Sequence, residues 1–189
     1  MSTGATAVPL VEWLRAQRRS NELQLELMTE RFDFDGAIAA GQAELAWWAA
    51  LRIVTAAARL YLYERGVDCP GGLDWAGDTR TMVDRLGALD PSLADELWGC
   101  LLQPAPSSID DVRRTATAIM RLANERFHAR QLDRDSSVRE WAEGTRLLRE
   151  VALELQIAGA DKWYLRSEDS SSTGLSWYDE VIAQLVARS

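Results

Sequence analysis

Histidine, cysteine and lysine are the residues that this 189-residue sequence nearly lacks: it has His128, Cys69 with Cys100, and Lys162. A zinc site with three histidines, or an iron site with two histidines and a carboxylate, needs more histidines than one chain supplies. The two cysteines lie in unlike settings, a Pro-Gly turn and a helix, which does not indicate a disulfide framework. We therefore expect reduced cysteines, no metal ion and no cofactor.

Several common patterns are also absent from the sequence. It has no alternating strand pattern, no internal repeat, no glycine-rich phosphate loop and no serine-elbow motif, which removes the common nucleotide-binding and hydrolase signatures. The start has no basic leader followed by an apolar run. The longest apolar segment, 43–63, is interrupted by Glu44, Arg52 and Arg59, which are expensive at bilayer depth. We expect a cytoplasmic protein that does not span a membrane.

The charge balance is acidic. The chain has 29 Asp and Glu against 21 Lys and Arg, for a net charge of −8. Negative charge opposes binding to a phosphate backbone, so we do not expect a nucleic acid partner. It suits a small polar or cationic ligand, or a basic partner. Eight tryptophans are compatible with interfaces or an aromatic-lined groove, and equally with a packed core.

Apolar residues recur at spacings of three and four along most of the chain, which predicts an all-α, mostly antiparallel bundle of six to eight helices. The expected helices are 9–28 (with a break possible at 19–21), 36–65 capped by Asp35 and ended by Gly66, 79–86, one after Asp90-Pro91, one from Ser108, one from Ser137 to about Gly159, and one from about Ser176. Residues 1–135 would form the core. Residues 136–189 would be a C-terminal extension that packs on the core or forms a homodimer.

The long helix predicted over 36–65 carries a polar and aromatic stripe. Its members are Glu44, Trp48, Arg52, Thr55, Arg59 and Tyr63. One interpretation is a solvated helix face. The other is a ligand site, because aromatic rings between arginines and a glutamate offer stacking and paired hydrogen bonds to a flat polar ligand.

The helix that begins near Ser108 carries Arg121, Glu125 and His128 on the side opposite its apolar stripe. Glu125 and His128 match half of a di-iron signature, and a second such pair cannot exist with one histidine. A solvated face with an ion pair is the plain interpretation. The spacing of Arg121 and His128 resembles the R-x(4–6)-H element of the HEPN ribonucleases, although Leu122 stands where that family has a polar residue. The resemblance implies a dimer in which His128 moves a proton and Arg121 holds the scissile phosphate.

A second resemblance covers more of the chain. Residues 60–102 read LYLYERGVDCPGGLDWAGDTRTMVDRLGALDPSLADELWGCLL. This order of a long helix, an aromatic-rich turn, Pro-Gly, tryptophan and paired short helices is similar to the C-terminal helical domain of antibiotic-type nucleotidyltransferases, a relative in fold of the HEPN proteins. The catalytic domain, with its glycine-serine loop and paired aspartates, is not among these residues, so transfer activity would need another chain.

These observations favour one function and leave two alternatives open. The leading hypothesis is a helical binding or partner subunit of the nucleotidyltransferase-associated type, which recognises a small polar ligand or a separate catalytic chain. The first alternative is a HEPN-like, metal-independent ribonuclease that uses Arg121 and His128. The second is a small-molecule biosynthetic enzyme that uses the groove from Glu44 to Tyr63.

Overall fold

The computed structural model describes residues 4–69, 75–127, 146, 148–158, 160 and 175–188. Within these ranges the chain forms helices and turns and contains no strand, so the predicted all-α class is confirmed. Backbone contacts divide the chain into two compact units. One is Leu23–Asp133, and the other combines Met1–Glu22 with Arg134–Ser189.

The first helix, α1, is longer than predicted. It runs without a break from Gly4 to Ala39, so the expected helix start at Asp35 is wrong. Asp35 lies inside the helix and accepts a hydrogen bond from Arg31, four residues earlier, at 3.1 Å. The turn that follows Ala39 contains Gly41, which has a positive φ of 72°, and Gln42 N–H donates to the Ala37 carbonyl at 2.9 Å. Glycine adopts this left-handed conformation without a Cβ penalty and therefore closes the helix.

Helix α2, Ala43–Tyr63, is the centre of the Leu23–Asp133 unit. Thirteen of its residues are buried, and its many alanines allow neighbouring helices to approach closely. It is the one helix in the described ranges that is long and apolar enough to cross a membrane, but 72% of that apolar window is buried inside the protein, as in a core helix. Its end follows the prediction, because Gly66 has a φ of 78° and Val67 N–H donates to the Leu62 carbonyl at 3.0 Å.

Three further helices complete this unit. They are α3 (Trp75–Leu89), α4 (Pro91–Leu101) and α5 (Ile109–Arg121). The predicted caps of the last two are confirmed: the Asp90 carboxylate accepts from Leu93 N–H at 3.0 Å, and Ser108 Oγ accepts from Asp111 N–H at 3.2 Å. Helix α3 packs on α4, and α5 packs on α2.

A π-helical turn, Leu122–Arg126, follows α5 directly. In this turn a backbone N–H bonds to the carbonyl five residues earlier: Phe127 N–H donates to the Leu122 carbonyl at 3.2 Å. The turn buries Leu122, Ala123 and Phe127 together. The Phe127 ring lies edge-on to Tyr61 of α2, with 5.5 Å between ring centroids, so the turn is anchored in the core.

The second unit has its own apolar core, in which Leu14 of α1 joins residues of the last helix, α6 (Leu175–Arg188). The start of α6 agrees with the helix predicted from about Ser176. Residues 148–154 are helical and are followed by Gln156 in a left-handed conformation, so the helix predicted to reach Gly159 ends earlier. Its predicted start at Ser137 lies outside the described residues. Arg18 of α1 binds the Asp179 carboxylate with two hydrogen bonds, at 2.6 and 3.1 Å.

Candidate functional site

Two ion pairs join α1 to α2 along the predicted polar stripe. Arg52 Nη2 lies 2.5 Å from Glu30 Oε1, and Arg59 Nη2 donates to Glu26 Oε1. The two glutamates are four residues apart on α1 and the two arginines are seven apart on α2, so each set lies on one side of its helix. Both arginines of the predicted ligand stripe are therefore occupied by carboxylates of the neighbouring helix.

We call the two pairs, Glu30 with Arg52 and Glu26 with Arg59, the α1–α2 seam. Glu30 is its most buried member. Its side chain is 4% exposed, whereas the Arg52 side chain is 53% exposed and keeps contact with water. Burial raises the pKa of the Glu30 carboxyl; the Arg52 guanidinium lowers it, and the nearby carboxylates Asp33 and Glu26 raise it further. Desolvation disfavours the charged form of an acid, and one half-exposed arginine offsets this only in part.

The structure separates the six residues of the stripe. Thr55 does not lie on an exposed face: it is 2% exposed, and its hydroxyl donates to the Arg52 carbonyl at 2.9 Å. Tyr63 is half-buried and packs against the main core. Glu44 and Trp48 border an open surface near the start of α2, whereas Arg52, although 53% exposed, is paired with Glu30 of α1.

That surface is a shallow depression at the start of α2. It has a volume of about 490 Å³, is widely open to solvent, and is lined by Gln42, Ala43, Glu44, Leu45 and Trp48. Trp48 is 46% exposed and Leu45 is 53% exposed, although both are large apolar side chains. Adjoining exposed apolar side chains rimmed by polar groups make this surface a candidate contact site. We call these five residues the α2 surface.

Glu44 is the charged side chain that lines the α2 surface. Glu44 lies one helical turn before Trp48 and is exposed. Asp33 of α1 is also exposed, and it is close enough to Glu30 to raise the pKa of that carboxyl. Among the residues that the structure describes, neither Glu44 nor Asp33 forms an ion pair, in contrast to Glu26 and Glu30.

The second candidate set lies at the end of α5. Arg121 and Glu125 are exposed, and His128 lies outside the described residues. The straight line predicted for these side chains assumed a regular α-helix, and the π-helical turn between Arg121 and Phe127 changes that register. Arg126, which the prediction did not include, lies 3.0 Å from the Glu96 carboxylate of α4. Arg121 and Glu125 form no ion pair within the described part of the chain.

The acidic and cysteine side chains of the described residues are dispersed. Over the residues with a described position, no three His, Cys, Asp or Glu side chains come together in a group that could hold a metal ion. Cys69 and Cys100 are not joined in a disulfide, and burial raises the pKa of each thiol.

Comparisons with protein-family models, with curated proteins and with solved structures find no match for this chain.

Two parts of this arrangement were missed in the sequence. Leu45 was not assigned to the site, although its exposure beside Trp48 makes the α2 surface apolar. Glu26 and Glu30 were not recognised as partners of the two arginines. Their spacing of four on α1 was an available signal, but pairing them with α2 required knowing that α1 continues to Ala39.

Proposed function

We propose that this chain is a helical binding or partner subunit, and that the α2 surface is where it recognises its ligand or its partner chain. The observation that carries the proposal is the exposure of Trp48 and Leu45 around an open depression, in a helix of which thirteen residues are buried. Large apolar side chains stabilise a folded monomer by being buried. Trp48 and Leu45 are about half exposed and therefore contribute little of this stabilisation. Their exposure side by side at one depression supports a role in contact with another molecule.

The chemistry of the α2 surface favours a cation. The face of a tryptophan attracts ammonium and guanidinium groups, and each such contact is worth about 0.5–1 kcal/mol at an exposed site. Glu44, on the same side of the helix, adds a carboxylate. Because each contact is weak alone, the surface would bind a ligand that makes several of them at once.

The order of the helices supports the nucleotidyltransferase-associated type. Helix α2 ends at Tyr63 in a glycine turn, and two shorter helices, α3 and α4, follow and pack on each other. This is the order of elements on which the resemblance of residues 60–102 rests. We propose that any transfer chemistry resides in a separate nucleotidyltransferase chain and that this chain supplies binding.

Isothermal titration calorimetry of the full chain with spermidine, as a small cation, tests the proposal. We expect binding that Glu44→Gln and Trp48→Ala weaken several-fold. Trp98→Ala is the matched control, because Trp98 is a tryptophan of the same unit with 40% exposure, on α4. Binding that the Glu44 and Trp48 variants leave unchanged would contradict the assignment of the α2 surface.

A metal-independent ribonuclease is the second candidate, and one observation favours it. Arg121 is exposed immediately before a π-helical turn, and such turns are energetically unfavourable and frequent at functional sites. His128 follows that turn two residues after its end. The test is cleavage of single-stranded RNA in the presence of a chelator. Loss of cleavage in both Arg121→Ala and His128→Ala, with activity retained in Arg113→Ala on the same helix, would support this function over the binding subunit.

A further inference from the structure

We infer that the occupant of the α2 surface is a basic segment of a partner protein, whose arginine or lysine side chains lie across Trp48 and Leu45 with their charged ends toward Glu44. This inference rests on the proposed function and names the class of partner. Three observations carry it: the shape of the depression, its charge, and the arginine pairs that already line the same side of α2.

The shape of the α2 surface suits a chain segment better than a small molecule. Small-molecule sites are concave and enclose most of the ligand. This depression is widely open and is lined by one turn and the first two turns of one helix. A small ligand would therefore remain largely in water. A peptide or helix laid over the surface would cover Leu45 and Trp48, and the aliphatic stems of arginine and lysine pack well on such side chains.

The charge of the α2 surface selects a basic segment. Lower on the same side of α2, two carboxylates of α1 are matched by two arginines of α2. At the start of α2 this pattern changes: Glu44 is exposed, and in the described ranges no arginine or lysine pairs with it. A partner would supply the missing cation. The net charge of −8 attracts the same kind of partner over a longer range.

The two kinds of contact would have different roles. Interface energy concentrates in a few large side chains near the centre of the contact, and tryptophan is prominent among them. Exposed charges at the rim mainly increase the rate of association and make it sensitive to salt. Trp48 is thus expected to determine how long the complex lasts, and Glu44 how quickly it forms.

The test uses the full chain and a fluorescent, acetylated alanine peptide with arginine at every third or fourth position, followed by fluorescence anisotropy. A peptide with glutamate in place of every arginine is the control for charge. Free arginine amide, added as a competitor and titrated alone, represents a small cation. Circular dichroism and thermal melting of each variant show that it is folded before binding is measured.

We expect the arginine peptide to bind and the glutamate peptide not to bind. Trp48→Ala should weaken binding by about tenfold or more, the loss typical of a central interface residue. Glu44→Gln should weaken it several-fold, mainly by slowing association, and added salt should reduce the difference. Trp98→Ala should bind like the unchanged protein.

Three results would overturn the inference. If free arginine amide and spermidine bind in a Trp48-dependent way and the peptide does not, the occupant is a small cation and the proposed function stands. If no cationic probe responds to Trp48→Ala or Glu44→Gln, both the inference and the proposed function fail. If light scattering shows that Trp48→Ala dissociates a dimer, the α2 surface contacts a second copy of this chain.

Discussion

Trp47 and Trp48 are neighbours in the sequence, but they lie in opposite environments. Trp47 is 2% exposed and belongs to the main core, whereas Trp48 is 46% exposed at the α2 surface. One residue along an α-helix turns the side chain by about 100°, which is enough to move it from the core to the solvent side. The same amino acid is thus packed in the core at one position and half exposed to solvent at the next.

The two ends of the solvent side of α2 differ in a similar way. Arg52 and Arg59 point to the same side as Trp48 by helical spacing, and α1 supplies a carboxylate to each of them. Near Glu44 the helix begins directly after the turn at Gly41, and Glu44 forms no ion pair within the described part of the chain. The polar side chains of one stripe therefore have partners from α1 at one end and none from the described residues at the other.

Substitution of the two tryptophans by alanine should give the largest contrast. Trp47→Ala removes a fully packed ring and should lower the free energy of unfolding by about 3–5 kcal/mol. Trp48→Ala should lower it by less than about 1 kcal/mol, because the ring is half in water. Urea denaturation followed by circular dichroism measures both. Equal losses would show that Trp48 is part of the core and would remove the basis of the α2 surface.

Removal of a seam arginine should have a smaller effect. The Arg59 side chain is 15% exposed, so Arg59→Ala leaves the Glu26 carboxylate partly buried without its partner and should cost about 1–3 kcal/mol. The matched change is Arg113→Ala, which breaks a pair with Asp110 in which both side chains are largely exposed. Exposed pairs contribute little, so this variant should unfold nearly like the unchanged protein. If both variants lost a similar amount of free energy of unfolding, the α1–α2 seam would stabilise the fold no more than an exposed ion pair does.

A pH series on Glu30→Gln should show a smaller change with a defined direction. Because the fold raises the pKa of the Glu30 carboxyl, the folded protein binds more protons than the unfolded chain, and stability falls as pH rises from the ordinary range of a glutamate through the raised pKa. Glutamine does not titrate. The stability of Glu30→Gln relative to the unchanged protein should therefore increase with pH.

The control for this series is Glu125→Gln, a change at an exposed glutamate of the π-helical turn. Urea midpoints of both variants and of the unchanged protein, measured from acid to neutral pH, provide the comparison. If the advantage of Glu30→Gln shrinks as pH rises, attraction to Arg52 outweighs the burial of Glu30.

The mass of the protein in solution tests whether its exposed apolar surfaces are covered by self-association. The exposed apolar side chains, among them Val186 of α6 and Leu153, predict a homodimer. Light scattering should give twice the 21.1 kDa of one chain at micromolar concentration. Trp48→Ala should leave this mass unchanged, because we assign Trp48 to a different partner. A single species of 21.1 kDa would contradict the dimer.

Local signals allowed part of the fold to be predicted. Asp90 before Pro91 and Ser108 before Asp111 start their helices as expected, because each side chain accepts a backbone N–H that the first turn leaves without a partner. The apolar stripe of α5 is buried for the same kind of reason, since its spacing follows the helical period. Such features depend only on residues a few positions apart.

The turn between α1 and α2 shows why local signals were not sufficient. Asp35-Gly36 has the composition of a helix start, yet the helix continues through it. Glycine inside a helix costs about 1 kcal/mol relative to alanine, whereas burial of Leu27, Phe34 and Ala37 along the same side of α1 contributes more than that. Gly41 was the better stop signal. The position of the α2 surface depended on this choice, because an α2 that began at Gly36 would have placed Glu44 and Trp48 in mid-helix.

The π-helical turn at Leu122–Arg126 has the structure of a single residue inserted into a helix. In a regular α-helix the chain after it would be rotated by about 100°, which would take Arg126 away from Glu96 and Phe127 away from Tyr61. A chain that lost one residue here would keep every helix before the turn and would lose both of these contacts, one to α4 and one to α2. The number of residues in one turn thus decides whether the end of α5 is fastened to the rest of its unit.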